Sequence, residues 1–442
     1  MDEKNDSAMP KSNYSMLADN GVLYRAPSQL SSVVARTYKV EYSQRSDYAV
    51  GAPIIFDWNT GTSYVDPQTA ILSFDLVLTT REAEAAAIRT FTWGGGLGAC
   101  SLIDEIRIIS KNGVEIDRTQ DAGLLAKVLA DWTLSAEGRA NAQMVDGYGT
   151  GGGLVVPAAV GPATTGTLTV TVSIPMKLLS GFFRPTVKGM MLPAGLASGL
   201  RIEMSLASAD RAFRSTADLT NGSLSYSVRN PQMLMQLSDF NDPTQSALFT
   251  QSAQSGLEYN FPAYFSTKVS NSSTSMNEQL KKAVSQANKC FAVVLPNVIR
   301  VGVAQEPGDS YSDLKTSGFN SVIASRITAF NWRLGSQFFP LERLTRPTNY
   351  WGVANACFNS MRDIEFKPNQ VDWAGFLTGG KCIAAACLDM SDRINLSGSK
   401  INNSSVLELR IDFANATAVD VVLFLQFTAE VKTSGTRSIL KI

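Results

Sequence analysis

Apolar and polar residues alternate with period two in segment after segment, and this restricts the chain more than any other feature. Val34 to Tyr42 and Ala70 to Thr79 follow the rule and are rich in branched and aromatic side chains. A row of side chains that changes face at every residue suits a strand and does not fit a helix. Leu102 to Asp117 reads as a hairpin, because Lys111-Asn112-Gly113 separates two apolar runs and both Asn and Gly tolerate positive φ. Further strands are expected at Leu168 to Met176, Leu200 to Leu206 and Leu224 to Leu237, the last interrupted at Pro231. The second half repeats the style at Leu257 to Val269, Cys290 to Leu295, Ile323 to Phe339, Cys382 to Met390, Val406 to Phe413 and Ala418 to Val431.

Helical spacing intrudes only locally. Leu124, Leu125, Val128, Leu129 and Trp132 recur one, three and four apart, as on one helix face. Met276 to Asn288 and Asn349 to Met361 also read as helices, and the Gly-rich interval from Gly147 to Gly166 reads as an exposed loop. Many strands with few helices predict an all-β protein of β-sandwiches. In a chain of 442 residues two units of about 200 residues fit. They are expected to meet near Asp239 to Thr244, where Asn241-Asp242-Pro243 opens a turn and a helix. The expected organisation is therefore a polar arm over 1–35, a first unit over 36–240 and a second over 241–442. No direct sequence repeat relates the two halves.

Composition narrows the function. Lys plus Arg and Asp plus Glu both number 39, so no net field draws the chain to nucleic acid or an anionic membrane. A near-neutral surface suits packing against copies of itself. Histidine is absent. That removes Ser-His and Cys-His nucleophile pairs, His-ligated zinc and the usual general base near neutrality. Cys100, Cys290, Cys357, Cys382 and Cys387 form no CxxC motif and read as buried thiols in a reducing compartment. The polar N-terminus has no secretory h-region, and no run approaches the roughly 18 apolar residues that span a bilayer. The Asn-x-Ser/Thr sequons at Asn13, Asn221, Asn271, Asn395, Asn402, Asn403 and Asn415 are then chance products of Ser/Asn-rich loops.

Each constellation that could carry chemistry has a plainer reading. Gly94-Gly95-Gly96-Leu97-Gly98-Ala99 loosely fits a dinucleotide fingerprint, yet the strand-like Ser101 to Ile108 follows where a helix is needed. Gly147 to Gly153 lacks the Gly-Lys-Ser/Thr ending of a phosphate loop. Asp104-Glu105 and Glu115-Asp117 flank the hairpin and could face one another as glycosidase acids do, but Arg107 and Arg118 are placed to pair with them. Asp389, Asp392 and Asn395 do not have EF-hand spacing. Lys281-Lys282, with Glu278 on the same expected helix and Lys289 beyond, reads as a solvated face. Phe182-Phe183, Phe338-Phe339 and Tyr350-Trp351 read as core or interface anchors. No catalytic, cofactor-binding or metal residue is assigned, and no cofactor is expected.

The order of segments resembles a known family. Ile174 to Phe183 (IPMKLLSGFF), then Met191-Leu192-Pro193, then Leu200 to Leu206 look like the end of a first jelly roll. Trp332 to Pro340 (WRLGSQFFP) resembles the strand of a second jelly roll that ends in a Gly-Ser, aromatic, aromatic, Pro turn, with Asn349 to Met361 as the helix that follows it. Arg36 to Tyr42 and Leu388 to Arg410 match in style. The family is that of the double jelly-roll major capsid proteins, especially of polinton-like viruses, adintoviruses and virophages. The resemblance covers most of 34–430.

It implies two jelly rolls side by side and homotrimers of pseudo-hexagonal outline that tile an icosahedral shell around double-stranded DNA. Penton and minor capsid proteins are the implied partners, with an internal membrane beneath the shell in many relatives and no sequence-specific nucleic-acid contact. The location implied is the virion, after synthesis in the host cytoplasm or nucleus. Two other readings stay open: a β-sandwich attachment protein for a glycan or receptor, and a glycoside hydrolase using Asp104 and Glu115. Without histidine, pH-dependent assembly is expected to follow carboxylates and to lie below about pH 5.5. The first 30 residues are expected to reach beneath neighbouring capsomers.

Overall fold

The structure is a computed structural model that describes residues 33–81, 89–93, 98–133, 154–156, 165–187, 190–215, 223–254, 256–296, 327–359, 383–388, 399–402, 405–414, 416, 418–434 and 437–441. Its first set of strands is β1 (Val33–Tyr42), β2 (Asp47–Ala49), β3 (Ile54–Asp57), β4 (Tyr64–Arg81), β5 (Arg89–Trp93), β6 (Ile103–Ile109), β7 (Glu115–Gln120), β8 (Leu154–Val156), β9 (Thr165–Pro175), β10 (Arg201–Leu206), β11 (Phe213–Ser215) and β12 (Ser223–Phe240). They build one sheet in the order β1-β12-β4-β9 and another in the order β3-β10-β6-β7, with β11-β5-β8 as a small satellite. The second set is β13 (Leu257–Asn271), β14 (Ser275–Leu280), β15 (Val284–Pro296), β16 (Ile327–Leu334), β17 (Gln337–Leu344), β18 (Ala384–Cys387), β19 (Ser399–Ile401), β20 (Leu407–Phe413), β21 (Val419–Ser434) and β22 (Arg437–Lys441). Its sheets run β13-β21-β15-β18 and β14-β20-β16-β17.

The two sets share one topology. The eight principal strands of the first are β1, β3, β4, β6, β7, β9, β10 and β12, and in chain order its sheets read 1-8-3-6 and 2-7-4-5. Counting β13, β14, β15, β16, β17, β18, β20 and β21 in the second gives the same two orders. This is the jelly-roll arrangement, and the chain carries it twice. The fifth strand of each set, β7 or β17, lies at a sheet edge and is followed by a helix: α1 (Ala122–Thr133) in the first. A second helix, α2 (Asp242–Gln254), joins the sets, and α3 (Pro347–Asn359) follows β17.

Local chemistry explains these elements. The β6–β7 turn has Gly113 at φ 77°, its N–H donating to the Ser110 carbonyl at 2.9 Å. Ile106 and Ile108 point inward and are buried, whereas Arg107 between them is only half-buried. The α2 helix starts where Asn241 Oδ1 accepts the Thr244 N–H at 3.1 Å, an N-cap bond. Residues Ala122 to Trp132 of α1 are all buried.

Four expectations need correction. Met276 to Asn288 is not a helix but strand β14, a short connection and the start of β15. Met276 and Leu280 are the buried pair, and a spacing of four satisfies a helix and a strand alike. Ile323 to Phe339 is not one strand: β16 turns at Gly335-Ser336 into β17, and 321–326 lie outside the described residues. Pro231 does not break β12, which passes it with a register shift against β4 while Asn230 takes φ 50°. Of the Gly-rich interval, Leu154–Val156 is a strand and 165–166 begin β9; the rest lies outside the described residues.

Candidate functional site

The two barrels meet along β13, which lies against β7 and against the turn Gly181–Phe183. Gly181 is required there: a Cβ built on it would sit 1.6 Å from the Pro262 carbonyl oxygen. Backbone therefore meets backbone across the junction. The Thr186 N–H donates to the Asn260 carbonyl at 3.0 Å, and Arg184 Nη2 donates to the Tyr264 hydroxyl at 2.6 Å. The Tyr259 hydroxyl donates to the Phe182 carbonyl, and Phe182 also packs edge-on against Phe261 with centroids 5.3 Å apart. The following helices reinforce the contact, because Trp132 of α1 stacks on Phe358 of α3 at 5.3 Å and 26°.

A carboxyl lies buried at this junction. Asp117 on β7 accepts a hydrogen bond from Ser180 Oγ at 2.6 Å and is 5% exposed. Loss of water around the carboxylate raises its pKa to about 6, although hydrogen bonds from Ser180, Thr119 and the backbone N–H groups of Arg118 and Phe182 pull the other way. Its burial separates Asp117 from Asp104, Glu105 and Glu115, with which it was expected to be solvated or ion-paired. Nothing in the alternation marks Asp117, because Ile116 and Asp117 are consecutive and both buried. The fact that covers the second face of β7 is the other barrel.

Glu105 and Glu115 are ion-paired at the surface. Arg107 bridges Glu115 at 3.0 Å and Glu203 at 3.2 Å, and Arg118 holds Glu105 at 2.7 Å. The hydrolase pair fails on distance. Glu115 lies opposite Ile109, whereas Asp104 stands five residues away along β6. That separates them by roughly 17 Å, against about 5–9.5 Å for glycosidase carboxyls. Asp104, Glu105, Asp121, Ser266 and Lys268 instead line a cleft of about 400 Å³ between the barrels. No group of three or more metal-ligating side chains occurs among the described residues.

The other singled-out residues scatter. Gly98 opens a short 3-10 turn that leads into β6, while 94–97 lie outside the described residues. Lys281 and Lys282 sit between β14 and β15 rather than on a helix, with Lys282 Nζ 5.6 Å from the Phe265 ring centroid; Lys289 is buried. Cys100, Cys290 and Cys357 are buried and unbridged, and burial pushes the Cys290 thiol well up. Cys382, Asp389, Asp392, Asn395 and the arm over 1–32 lie outside the described residues. Phe182, Phe183 and Tyr350 are fully buried.

Two edge strands carry the opposite kind of surface. On β1 the outward row is Val34, Arg36, Tyr38, Val40 and Tyr42, with Tyr38 67% and Tyr42 74% exposed. The apolar half of its alternation faces away from its own barrel, contrary to the usual reading of such a pattern. On β17, Phe338 and Leu341 are exposed, the latter at 83%.

No protein family model matches the sequence, and no curated protein matches it. Solved structures do match in fold. The Faustovirus major capsid protein superposes with a TM-score of 0.60 at 8% identity, covering 97% of this chain and 95% of its own. The mavirus major capsid protein gives 0.53 at 10% identity over 100% and 97%. A chain from the structure of the Sputnik virophage gives 0.57 at 10% identity over 95% and 90%. The chain has their double jelly-roll fold.

Proposed function

We propose that this chain is a viral major capsid protein whose homotrimers form pseudo-hexameric capsomers and tile an icosahedral shell around a double-stranded DNA genome. The observation that carries the reading is the doubled strand order, 1-8-3-6 with 2-7-4-5, over nearly the whole chain. It is supported by the fold likeness to two proteins described as major capsid proteins, at 95% or more of either chain. The role is structural. Its working surfaces are shape and apolar area, and the carboxylates Glu105, Glu115 and Glu203 are held in ion pairs while Asp117 is buried at the junction. Its place is the virion shell, beside penton and minor capsid proteins.

Purified protein examined by electron microscopy and light scattering tests this. Pseudo-hexagonal particles with three times the 47.6 kDa chain mass, about 143 kDa, are expected. A protein that stays monomeric at every concentration and salt condition would overturn the reading. Glycan binding on an array with no particle formation would favour an attachment protein in its place.

A further inference from the structure

The junction between the barrels is not filled throughout. Where β7 runs beside β13, a cavity of about 210 Å³ is left, and its walls come from both barrels. The second barrel supplies an apolar lining of Ala263, Phe265, Phe427, Ala429 and Leu440, of which Ala263, Phe427 and Ala429 are buried. Close packing is the rule in protein interiors, so a space of this size forgoes the dispersion contacts its walls could otherwise make. A cavity of about 150 Å³ with walls of Leu, Ile and Phe takes up benzene, so this one has room for a single ring with a small substituent.

The polar groups around the lining decide what kind of molecule fits. Arg118 is held by Glu105 at 2.7 Å and Glu115 by Arg107 at 3.0 Å, so these two charges are compensated. Asp117 accepts from Ser180 Oγ at 2.6 Å, and the Arg118 and Phe182 N–H groups also bond to its carboxyl. Lys282 is different. It is half-buried in the connection between β14 and β15, and its one charge contact among the described residues is with the face of Phe265, whose ring centroid lies 5.6 Å from Nζ. The ring under the ammonium itself lines the cavity, so a cation stands directly beside apolar surface, and the complement of that pair is an apolar body carrying an anion. We infer that the cavity is a binding site for a small aromatic or short-chain carboxylate, whose apolar part lies against Phe427 and Ala429 and whose charged end meets Lys282. Both barrels line the site, so an occupant bridges them and stabilises the junction by mass action. The assignment is independent of the capsid reading.

Benzoate tests it on the full-length protein, with benzyl alcohol and benzylamine as neutral and cationic counterparts of similar shape. In a calorimetric or NMR titration benzoate should bind with a Kd of about 1 mM, the order expected of so small a ligand, and benzylamine about tenfold more weakly. Lys282→Gln should weaken benzoate by about tenfold and leave benzyl alcohol unchanged, because only the anion uses the ammonium. Ala429→Leu puts a larger side chain into the floor of the cavity and should abolish binding of the acid and the alcohol alike; Ala263→Leu is the second such variant if circular dichroism shows that the first does not fold. Benzoate should also raise the unfolding midpoint of the unsubstituted protein but not that of a folded, filled variant. Three results would each overturn the site: no benzoate binding up to about 10 mM, ten times the expected Kd; benzoate binding that Lys282→Gln leaves unchanged; or benzylamine binding as tightly as benzoate. Undiminished binding in a folded, filled variant places the ligand elsewhere and overturns it too. If neither filled variant folds, Lys282→Gln decides. None of these results touches the capsid reading, which stands or falls on assembly.

Discussion

At the scale of single residues, the junction depends on one missing side chain and one buried carboxyl. Gly181→Ala places a Cβ against the Pro262 carbonyl, and neither backbone can yield cheaply. A loss of about 3 kcal/mol is expected in denaturant unfolding. Gly352→Ala is the control. It lies exposed inside α3 with open space around it, so alanine should be neutral or stabilise by up to about 1 kcal/mol. Asp117 sets a pH dependence whose sign is the reverse of a paired carboxylate. Its folded pKa, about 6, lies above the ordinary 3.8, so the folded state holds the proton through that interval. The group's contribution is fully present below about pH 4 and is lost as pH rises through 6, by about 3 kcal/mol in all. Unfolding measured from pH 4 to 7 should show that decline, and Asp117→Asn should flatten it, since the amide oxygen can still accept from Ser180.

At the scale of elements, the two helices that follow the fifth strands act as one buttress. Trp132 on α1 and Phe358 on α3 stack with centroids 5.3 Å apart, and Phe358 also meets Phe291 of β15 at 5.3 Å. A double-mutant cycle with Trp132→Leu and Phe358→Leu should give a coupling of about 1 kcal/mol beyond the sum of the single losses. Helix α1 was legible because its five large apolar residues follow helical spacing and all face packed neighbours. The stretch from Met276 misled for the opposite reason. Only Met276 and Leu280 are large and apolar over that strand, and two points four residues apart do not choose between periods. The β14 strand is decided by its partner instead, pairing from Ser275↔Asp412 to Leu280↔Leu407.

At the scale of the whole molecule, the barrels share one continuous core, from Tyr48 in the first to Val431 in the second. They should therefore unfold together in a single calorimetric transition. Gly181→Ala acts on the junction rather than within either barrel, so it should split that transition into two before it prevents folding. A single transition at lower temperature would mean that the junction contributes little to cooperativity.

The sequence alone determined the all-β class, most of the strands, the β6–β7 hairpin and the helices after the fifth strands, because periodicity and turn chemistry are local properties. It also determined that Arg107 and Arg118 would neutralise the surface carboxylates, since the partners lie within one hairpin or its neighbour. Only the tertiary structure decided which face of β1 is bare, why Asp117 is held without water, and that both halves repeat one strand order despite showing no repeat in sequence. Alternation says that a strand has two different faces; it cannot say which lies against a barrel. Burial from a second barrel some 150 residues further along the chain leaves no period of its own, and a topology is conserved by hydrogen-bond pairing that many unlike side chains can satisfy.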